Sequence, residues 1–138
     1  GNIRMLKQLS IYAENKKGAL QAMTNALYEA GINIWGSVTN DGAEYGINRM
    51  VVSDPDKAKE VLTEKGYLCR FVDVLAVEIE DKPGALNTLL TALLDSNVNV
   101  DYTYLSFNRD SSTPVMILHT ADPEEVEICL RAKGFKMV

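Results

Sequence analysis

The chain has 138 residues, a formal net charge of −5 at pH 7, and 46% hydrophobic and 24% charged residues. This composition is ordinary for a globular protein. The acidic balance, without Lys/Arg clusters, argues against nucleic-acid binding, because neutralisation of phosphates dominates that affinity. No apolar run approaches the roughly 20 residues that a membrane helix needs. We therefore expect neither a nucleic-acid partner nor a membrane partner.

The sequence contains an internal repeat. When it is shifted by 66 residues, residues 9–20 fall on residues 75–86, and six of the twelve positions are identical. After a further shift of two residues, the Asp-Pro pair at 54–55 falls on the Asp-Pro pair at 122–123. A repeat of this kind indicates two copies of one structural unit. We predict two domains, residues 1–71 and residues 72–138.

The first half of each copy predicts a strand, a helix and two further strands. Alternating apolar residues predict the first strands at residues 9–13 and 75–79, and apolar residues at i, i+3, i+4, i+7 and i+8, clearest from Leu86 to Leu94, predict a helix after each. Gly31 and Asn97 stand where these helices should end, since both tolerate left-handed backbone. Later strands are predicted at residues 32–38 and 47–52 of the first copy and at residues 98–105 and 115–119 of the second.

The second half of each copy predicts another helix and a last strand. Asp54-Pro55 and Asp122-Pro123 indicate helix starts, because Asp accepts hydrogen bonds from free backbone N–H groups and Pro suits the first helical position. Last strands are predicted at residues 67–71 and 135–138, and Asn40-Asp41-Gly42 predicts a hairpin. Each copy is therefore βαββαβ. We predict an α+β fold of two ferredoxin-like repeats with antiparallel sheets and the helices on one face.

The cysteines and the histidine argue against metal and triad chemistry. Cys69 and Cys129 are widely spaced and form no zinc or iron–sulfur pattern. We expect both thiols to be largely buried and reduced, as in a cytoplasmic protein. His119 is the only histidine; it follows an apolar run, so we expect it to end a strand. No GxSxG accompanies it, and we expect no metal, no cofactor and no enzymatic activity.

This fold hosts unrelated functions, so the site must decide between them. RNA recognition needs a third strand with a basic residue and paired aromatics, which residues 45–52 and 114–118 lack. A phosphatase would need an arginine in a glycine-rich anion cradle, and no arginine occupies one. The doubled feature that remains is the glycine-containing turn before each first helix. Such a turn lets a ligand approach the backbone N–H groups of a helix start, which suits a carboxylate, although strand-to-helix turns also use Pro and Gly for structure alone.

Several segments resemble an ACT domain, a regulatory module that binds amino acids. They are Asp-Lys-Pro-Gly-Ala-Leu at residues 81–86, the leucine-rich helix after it, and Asn-Val-Asn-Val-Asp at residues 97–101. Residues 15–20 and 31–35 match in the first copy. The resemblance covers nearly the whole chain and implies a free-standing tandem pair. It also implies that two sheets join side by side and that ligands lie between the repeats, where the turn of one copy meets the second strand of the other.

The resemblance implies two ligand sites. One combines Asn15, Lys17, Gly18, Ala19 and Leu20 with Asn99 and Asp101, and the other combines Asp81, Pro83, Gly84, Ala85 and Leu86 with Asn33 and Trp35. The sites should be unequal, because Lys17 stands where the second copy has proline and Trp35 stands where it has Asp101. Asp81 either contacts the ligand ammonium or stabilises the turn. Trp35 is either a core or interface aromatic or a wall of the site.

The leading expectation is a regulatory protein that binds a free amino acid. Replacing Gly84 with valine should then weaken binding and leave the fold largely intact. The alternative is a non-catalytic assembly or regulatory subunit of an amino-acid biosynthetic enzyme, without a ligand of its own. Free edge strands and an exposed sheet face also suggest a homodimer.

Overall fold

The computed structural model describes residues 5–40 and 45–138. The chain divides into two compact units. We call residues 7–72 the N-terminal repeat, and residues 73–138 with residues 5 and 6 the C-terminal repeat. The strands are β1 (Leu6–Glu14), β2 (Ile34–Asn40), β3 (Tyr45–Val52), β4 (Leu68–Glu78), β5 (Tyr102–Phe107), β6 (Pro114–His119) and β7 (Lys136–Met137). The helices are α1 (Ala19–Glu29), α2 (Pro55–Glu64), α3 (Ala85–Asp95) and α4 (Pro123–Ala132).

The predicted βαββαβ order is confirmed in both repeats. In the N-terminal repeat β3 pairs antiparallel with β1 and with β2. In the C-terminal repeat β6 pairs antiparallel with β4 and with β5, and β4 also pairs with the short β7. One boundary differs from the prediction: the strands predicted at residues 67–71 and 75–79 form one continuous strand, β4, from Leu68 to Glu78. The second strands also start later than predicted, at Ile34 and at Tyr102.

Each repeat has its own hydrophobic core between its sheet and its two helices. In the N-terminal repeat Leu9 and Ile11 of β1 pack with Met23 and Leu27 of α1. Leu62 of α2 joins the same cluster. The C-terminal core repeats this arrangement with residues from β4, α3, β6 and α4. Among the described residues, no helix has both the length and the apolarity to cross a membrane.

The apolar stripe of α3 is narrower than its sequence suggests. Leu89 and Leu93 are fully buried, and Leu90 packs against the same core at partial exposure. Leu94, which the i+8 spacing assigns to the stripe, is 75% exposed, and Leu86 at the helix start is 37% exposed. Only two of these five leucines, Leu89 and Leu93, are therefore fully buried.

We predicted an exposed sheet face, but residues on the face away from the helices are buried in the C-terminal repeat. Leu75 and its partner Leu118 point into the helix-side core. Their neighbours Ala76 and Ile117 therefore point to the opposite face, since side chains alternate along a strand. Both are buried, as is Val115. In the C-terminal repeat these three residues are therefore buried, where the prediction had an exposed sheet face.

The two Asp-Pro helix starts use their aspartates differently. The Asp54 carboxylate accepts a hydrogen bond from the backbone N–H of Lys57 at 3.2 Å, as predicted. The Asp122 side chain makes no capping bond to α4 among the described residues, which differs from the prediction. The predicted hairpin tip at Asp41 and Gly42 lies outside the described residues.

This difference leads to a matched pair of substitutions. Asp54→Ala is expected to lower the free energy of unfolding by about 1 kcal/mol, because it removes a helix cap. Asp122→Ala should cost only a few tenths of a kcal/mol, from the lost charge near the helix N-terminus. Urea unfolding of both variants measures this, and equal losses would contradict the capping difference.

Candidate functional site

The turns before α1 and α3 have the same backbone geometry. Gly18 has φ +83° and Gly84 has φ +86°, both in the left-handed region. The Ala19 N–H donates to the Lys16 carbonyl at 3.2 Å, and the Ala85 N–H donates to the Lys82 carbonyl at 3.3 Å. A Cβ added at either glycine would meet no atom within 4 Å. The backbone conformation therefore requires glycine, while the space in front of each turn is open.

Neither of these helix starts has a side-chain cap in the described part of the chain. The first N–H groups of a helix have no partner within the helix, and they carry a partial positive charge. At α2 the Asp54 side chain takes one of these donors, whereas the glycines before α1 and α3 cannot. The two turns therefore present backbone N–H groups that can donate hydrogen bonds to an anion.

An exposed leucine follows each turn. Leu20 is 50% exposed, and its counterpart Leu86 is 37% exposed. Asn15 and Asp81, the polar residues that begin the turns, are also exposed. Each turn therefore places a polar side chain and an apolar side chain beside its backbone donors, which suits the mixed character of an amino acid.

The lysines of the turns point back to their own strands. Lys16 forms an ion pair with Glu14 at 3.2 Å, and Lys82 forms one with Glu80 at 2.5 Å. All four side chains are more than half exposed, so each pair contributes about 1 kcal/mol at most. Their geometry fits solvated turn charges better than ligand contacts.

Cavities border the turn of the N-terminal repeat. Asn15, Ala19 and Leu20 border a cavity of about 200 Å³. Lys17 and Gly18 border a second cavity of about 690 Å³. In the C-terminal repeat, Ala85 borders a cavity of about 380 Å³. Pockets for small molecules are typically of about 300–1,000 Å³, so two of the three have sufficient room.

The carboxylate of Asp101, just before β5, is held on both oxygens. Asn99 Nδ2 donates to one oxygen at 3.2 Å, and His119 Nδ1 lies 2.9 Å from the other. The Asp101 N–H also donates to the His119 carbonyl at 2.9 Å. The imidazole stacks on Tyr102, with centroids 4.9 Å apart and planes 5° apart. His119 ends β6 as predicted, but its contact with Asp101 is a site feature that the sequence did not show.

The corresponding segment of the N-terminal repeat is built differently. The Asn33 N–H donates to the Ser53 hydroxyl at 2.9 Å, and the Asn33 carbonyl accepts from the Ser53 N–H at 2.9 Å. The β2–β3 register shifts between Ile34 and Gly36, which leaves Trp35 as the extra residue of a bulge. A bulge changes the direction of its side chain. In the 66-residue repeat register, the half-buried Trp35 corresponds to Asp101 of the C-terminal repeat.

Both cysteines are free, with Cys69 buried and Cys129 half-buried. Burial raises the pKa of the Cys69 thiol above its ordinary value of 9.0, opposed by the charge of Lys59 and a hydrogen bond with Thr63. Cys129 donates to the Ser96 hydroxyl at 3.1 Å. Within the described residues, no group of three or more His, Cys, Asp or Glu could hold a metal ion.

The cysteines should react at different rates. At pH 8 we expect a disulfide reagent to label Cys129 first and Cys69 only slowly, because Cys69 is buried and its thiolate is disfavoured. Because folding raises this pKa, the thiol stabilises the fold below pH 9, and that contribution falls as pH rises further. Labelling kinetics of Cys129→Ser against wild type measure this. A fast phase that persists in Cys129→Ser would contradict the assignment.

The fold and the doubled turn together define a tandem ferredoxin-like protein in which two helix starts lack a side-chain cap among the described residues. The chain belongs to the ACT domain pair family, whose model matches residues 4–137. Its structure is similar to that of protein BT0572 from Bacteroides thetaiotaomicron, with 30% identity, a TM-score of 0.88 and coverage of 97% of this chain and 92% of that one. No match is found among curated protein sequences.

Two more distant structures share the fold. The regulatory subunit of aspartate kinase from Thermus thermophilus has 14% identity, a TM-score of 0.64 and coverage of 95% of this chain and 93% of that one. The corresponding subunit from Thermus flavus has 20% identity, a TM-score of 0.59 and coverage of 92% and 90%. At these identities the likeness concerns the fold alone.

Proposed function

We propose that this protein is a regulatory module that binds a free amino acid, with the ligand carboxylate held by backbone N–H groups at the turn of residues 15–20 or 81–86. The observation that carries the proposal is the doubled turn: a left-handed glycine, a helix start without a side-chain cap, and an exposed leucine, all present twice. Backbone N–H groups at helix starts bind carboxylates in this way.

The ligand ammonium needs an acceptor, and the second-strand segments supply candidates. Asp101 is the stronger acceptor because its carboxylate is charged, and Asn99 and His119 fix the direction of that carboxylate. Asn33 and Trp35 offer an amide and a flat apolar surface instead. As the family resemblance implies, we propose that the ligand lies between the two repeats and that the two sites are unequal.

The proposed mechanism is regulation by population shift. A ligand that binds one arrangement of the protein better than another raises the population of that arrangement. The effect would be transmitted to an amino-acid biosynthetic enzyme, in the cytoplasm, where free thiols such as these persist. We propose no catalytic role for the chain itself.

Thermal unfolding in the presence of each of the twenty amino acids tests the proposal. A ligand at 100 times its Kd stabilises the native state by about 2.7 kcal/mol, so one chemical class of amino acid should raise the Tm. The D-enantiomer of each active chiral amino acid is the matched control, because it has the same charge and composition, and β-alanine is the control for achiral glycine. If no amino acid raises the Tm more than its control, the proposal fails.

The exposed residues of β5 favour a second candidate, a subunit that assembles with another protein. Among the described residues β5 pairs only with β6, and its side chains Leu105 and Phe107 are about half exposed. An open strand edge with apolar side chains is a common docking element for another chain, a second copy included. Purification of the untagged protein from its own cell extract tests this, since a stable complex without an amino-acid response would favour assembly alone.

A further inference from the structure

Strand β5 of the C-terminal repeat has an open edge. It pairs with β6, and among the described residues no strand pairs with its other side. The Asn108 N–H donates to the Thr113 carbonyl at 2.8 Å, and hydrogen-bonded positions alternate along an antiparallel pair. The even-numbered residues of β5 therefore bond to β6, whereas Thr103, Leu105 and Phe107 direct their backbone N–H and C=O groups to the open edge.

The side chains of these three residues lie together on the helix side of the sheet. Thr103 and Leu105 pair with Leu118 and Met116, which belong to the core between the sheet and the helices. Phe107 shares their face, since side chains alternate along a strand. Leu105 is 50% exposed and Phe107 is 53% exposed. The edge therefore combines backbone groups directed away from β6 with exposed apolar side chains, and a second strand can pair with both.

The corresponding edge of the N-terminal repeat is protected. In the 66-residue register, the three outward residues of β5 correspond to polar residues, namely Ser37, Thr39 and Asp41. Strand β2 also has a bulge at Trp35. Bulges and charged residues are features by which proteins keep edge strands from pairing. In contrast, β5 keeps one register from Tyr102 to Phe107, and residues 102–108 contain no charged residue and no proline.

The open edge of β5 is complementary to itself. In an antiparallel pair of two copies with a two-fold axis at Leu105, Leu105 faces Leu105 and Thr103 faces Phe107 of the other copy. Each facing pair can exchange two backbone hydrogen bonds. The same register places Asp101, just before β5, opposite Arg109, just after it, at both ends of the contact. A shift of two residues would separate these opposite charges and leave one outward residue facing a residue outside β5.

We propose that two copies of this chain form a symmetric dimer through the open edges of β5, in the register centred on Leu105. A two-fold contact uses the same surface of both copies and is closed. Because the polar, bulged edge of β2 does not extend the assembly, the product is a dimer and not a fibre. This proposal makes a second copy of the chain the partner in the assembly candidate, and it does not depend on amino-acid binding.

Sedimentation velocity of the protein at micromolar concentrations, without any amino acid, tests the proposal. We expect a dimer whose mass does not increase further with concentration. Leu105→Lys should raise the dissociation constant of the dimer by about tenfold or more, because two lysines would face each other at the centre of the contact. Ile128→Lys is the matched control: it makes a similar change at an apolar residue of α4 that is 60% exposed. It should dimerise as the wild type does.

A charge exchange between two variants tests the register. Arg109→Asp and Asp101→Arg each place like charges opposite each other at both ends of the contact, so each variant alone should dimerise about tenfold more weakly. An equal mixture of the two should recover the dimer, because every aspartate then faces an arginine. A monomeric wild type, wild-type dimerisation of Leu105→Lys, or no recovery in the mixture would overturn the proposal. Since no amino acid is present, none of these results bears on amino-acid binding.

Discussion

A valine at position 84 is expected to weaken amino-acid binding and also to destabilise the C-terminal repeat. Left-handed backbone costs a residue with a Cβ roughly 1–2 kcal/mol, and a β-branched residue tolerates it least. Gly84 has φ +86°. The positive φ thus corrects the sequence-based expectation that Gly84→Val leaves the fold largely intact. Urea unfolding and amino-acid titration of this variant measure the two losses.

Gly84→Asn separates the two losses. Asparagine tolerates left-handed backbone, and Asn97 of this chain already has φ +59°. The stability of Gly84→Asn should therefore lie closer to wild type, while its side chain enters the open space before α3 and hinders the ligand. Gly18→Asn makes the same change in the other repeat, so the two variants together show which turn binds. Unchanged affinity in both would remove the turns from the site.

Leu89→Ala is expected to lower the free energy of unfolding by about 2–5 kcal/mol, because it leaves a cavity in the core. Leu89 is fully buried between α3 and the sheet of the C-terminal repeat. Urea unfolding, with Leu94→Ala as the control on the same helix, measures this. Leu94 is 75% exposed, and its truncation should stay within about 0.5 kcal/mol. Comparable losses in the two variants would contradict the described helix orientation.

The order of elements could be predicted because the same local signals occur twice. The Asp-Pro helix starts and the left-handed residues Gly31 and Asn97 are each specified within a few residues of chain. The doubled turn was found for the same reason. These signals do not depend on which strands become neighbours.

The remaining features depend on strand register, which no local pattern specifies. The contact between His119 and Asp101 exists because β5 and β6 pair with Tyr102 opposite His119. The bulge at Trp35 is likewise a property of the β2–β3 pairing. A one-residue change in register would redirect both side chains. The burial of Ile117 on the sheet face away from the helices could not be predicted either. An apolar residue in a strand does not indicate which of the two faces of the sheet it lies on.

The position of Leu94 shows the limit of helical periodicity. Its i+8 spacing from Leu86 fits an apolar stripe, yet the core covers only the part of α3 that includes Leu89 and Leu93. The width of the covered face depends on neighbouring elements rather than on the helix itself.

The proposed function requires that backbone N–H groups of an uncapped helix start hold the carboxylate of a free amino acid. Calorimetric titration of the wild-type protein with its active amino acid, and with the carboxamide of that amino acid, measures whether they do. The carboxamide keeps the side chain and the ammonium but has no negative charge. Because hydrogen bonds to a charged acceptor are roughly twice as strong as neutral ones, we predict that it binds about tenfold more weakly or worse. Equal affinity of the two compounds would show that the helix starts do not bind the carboxylate.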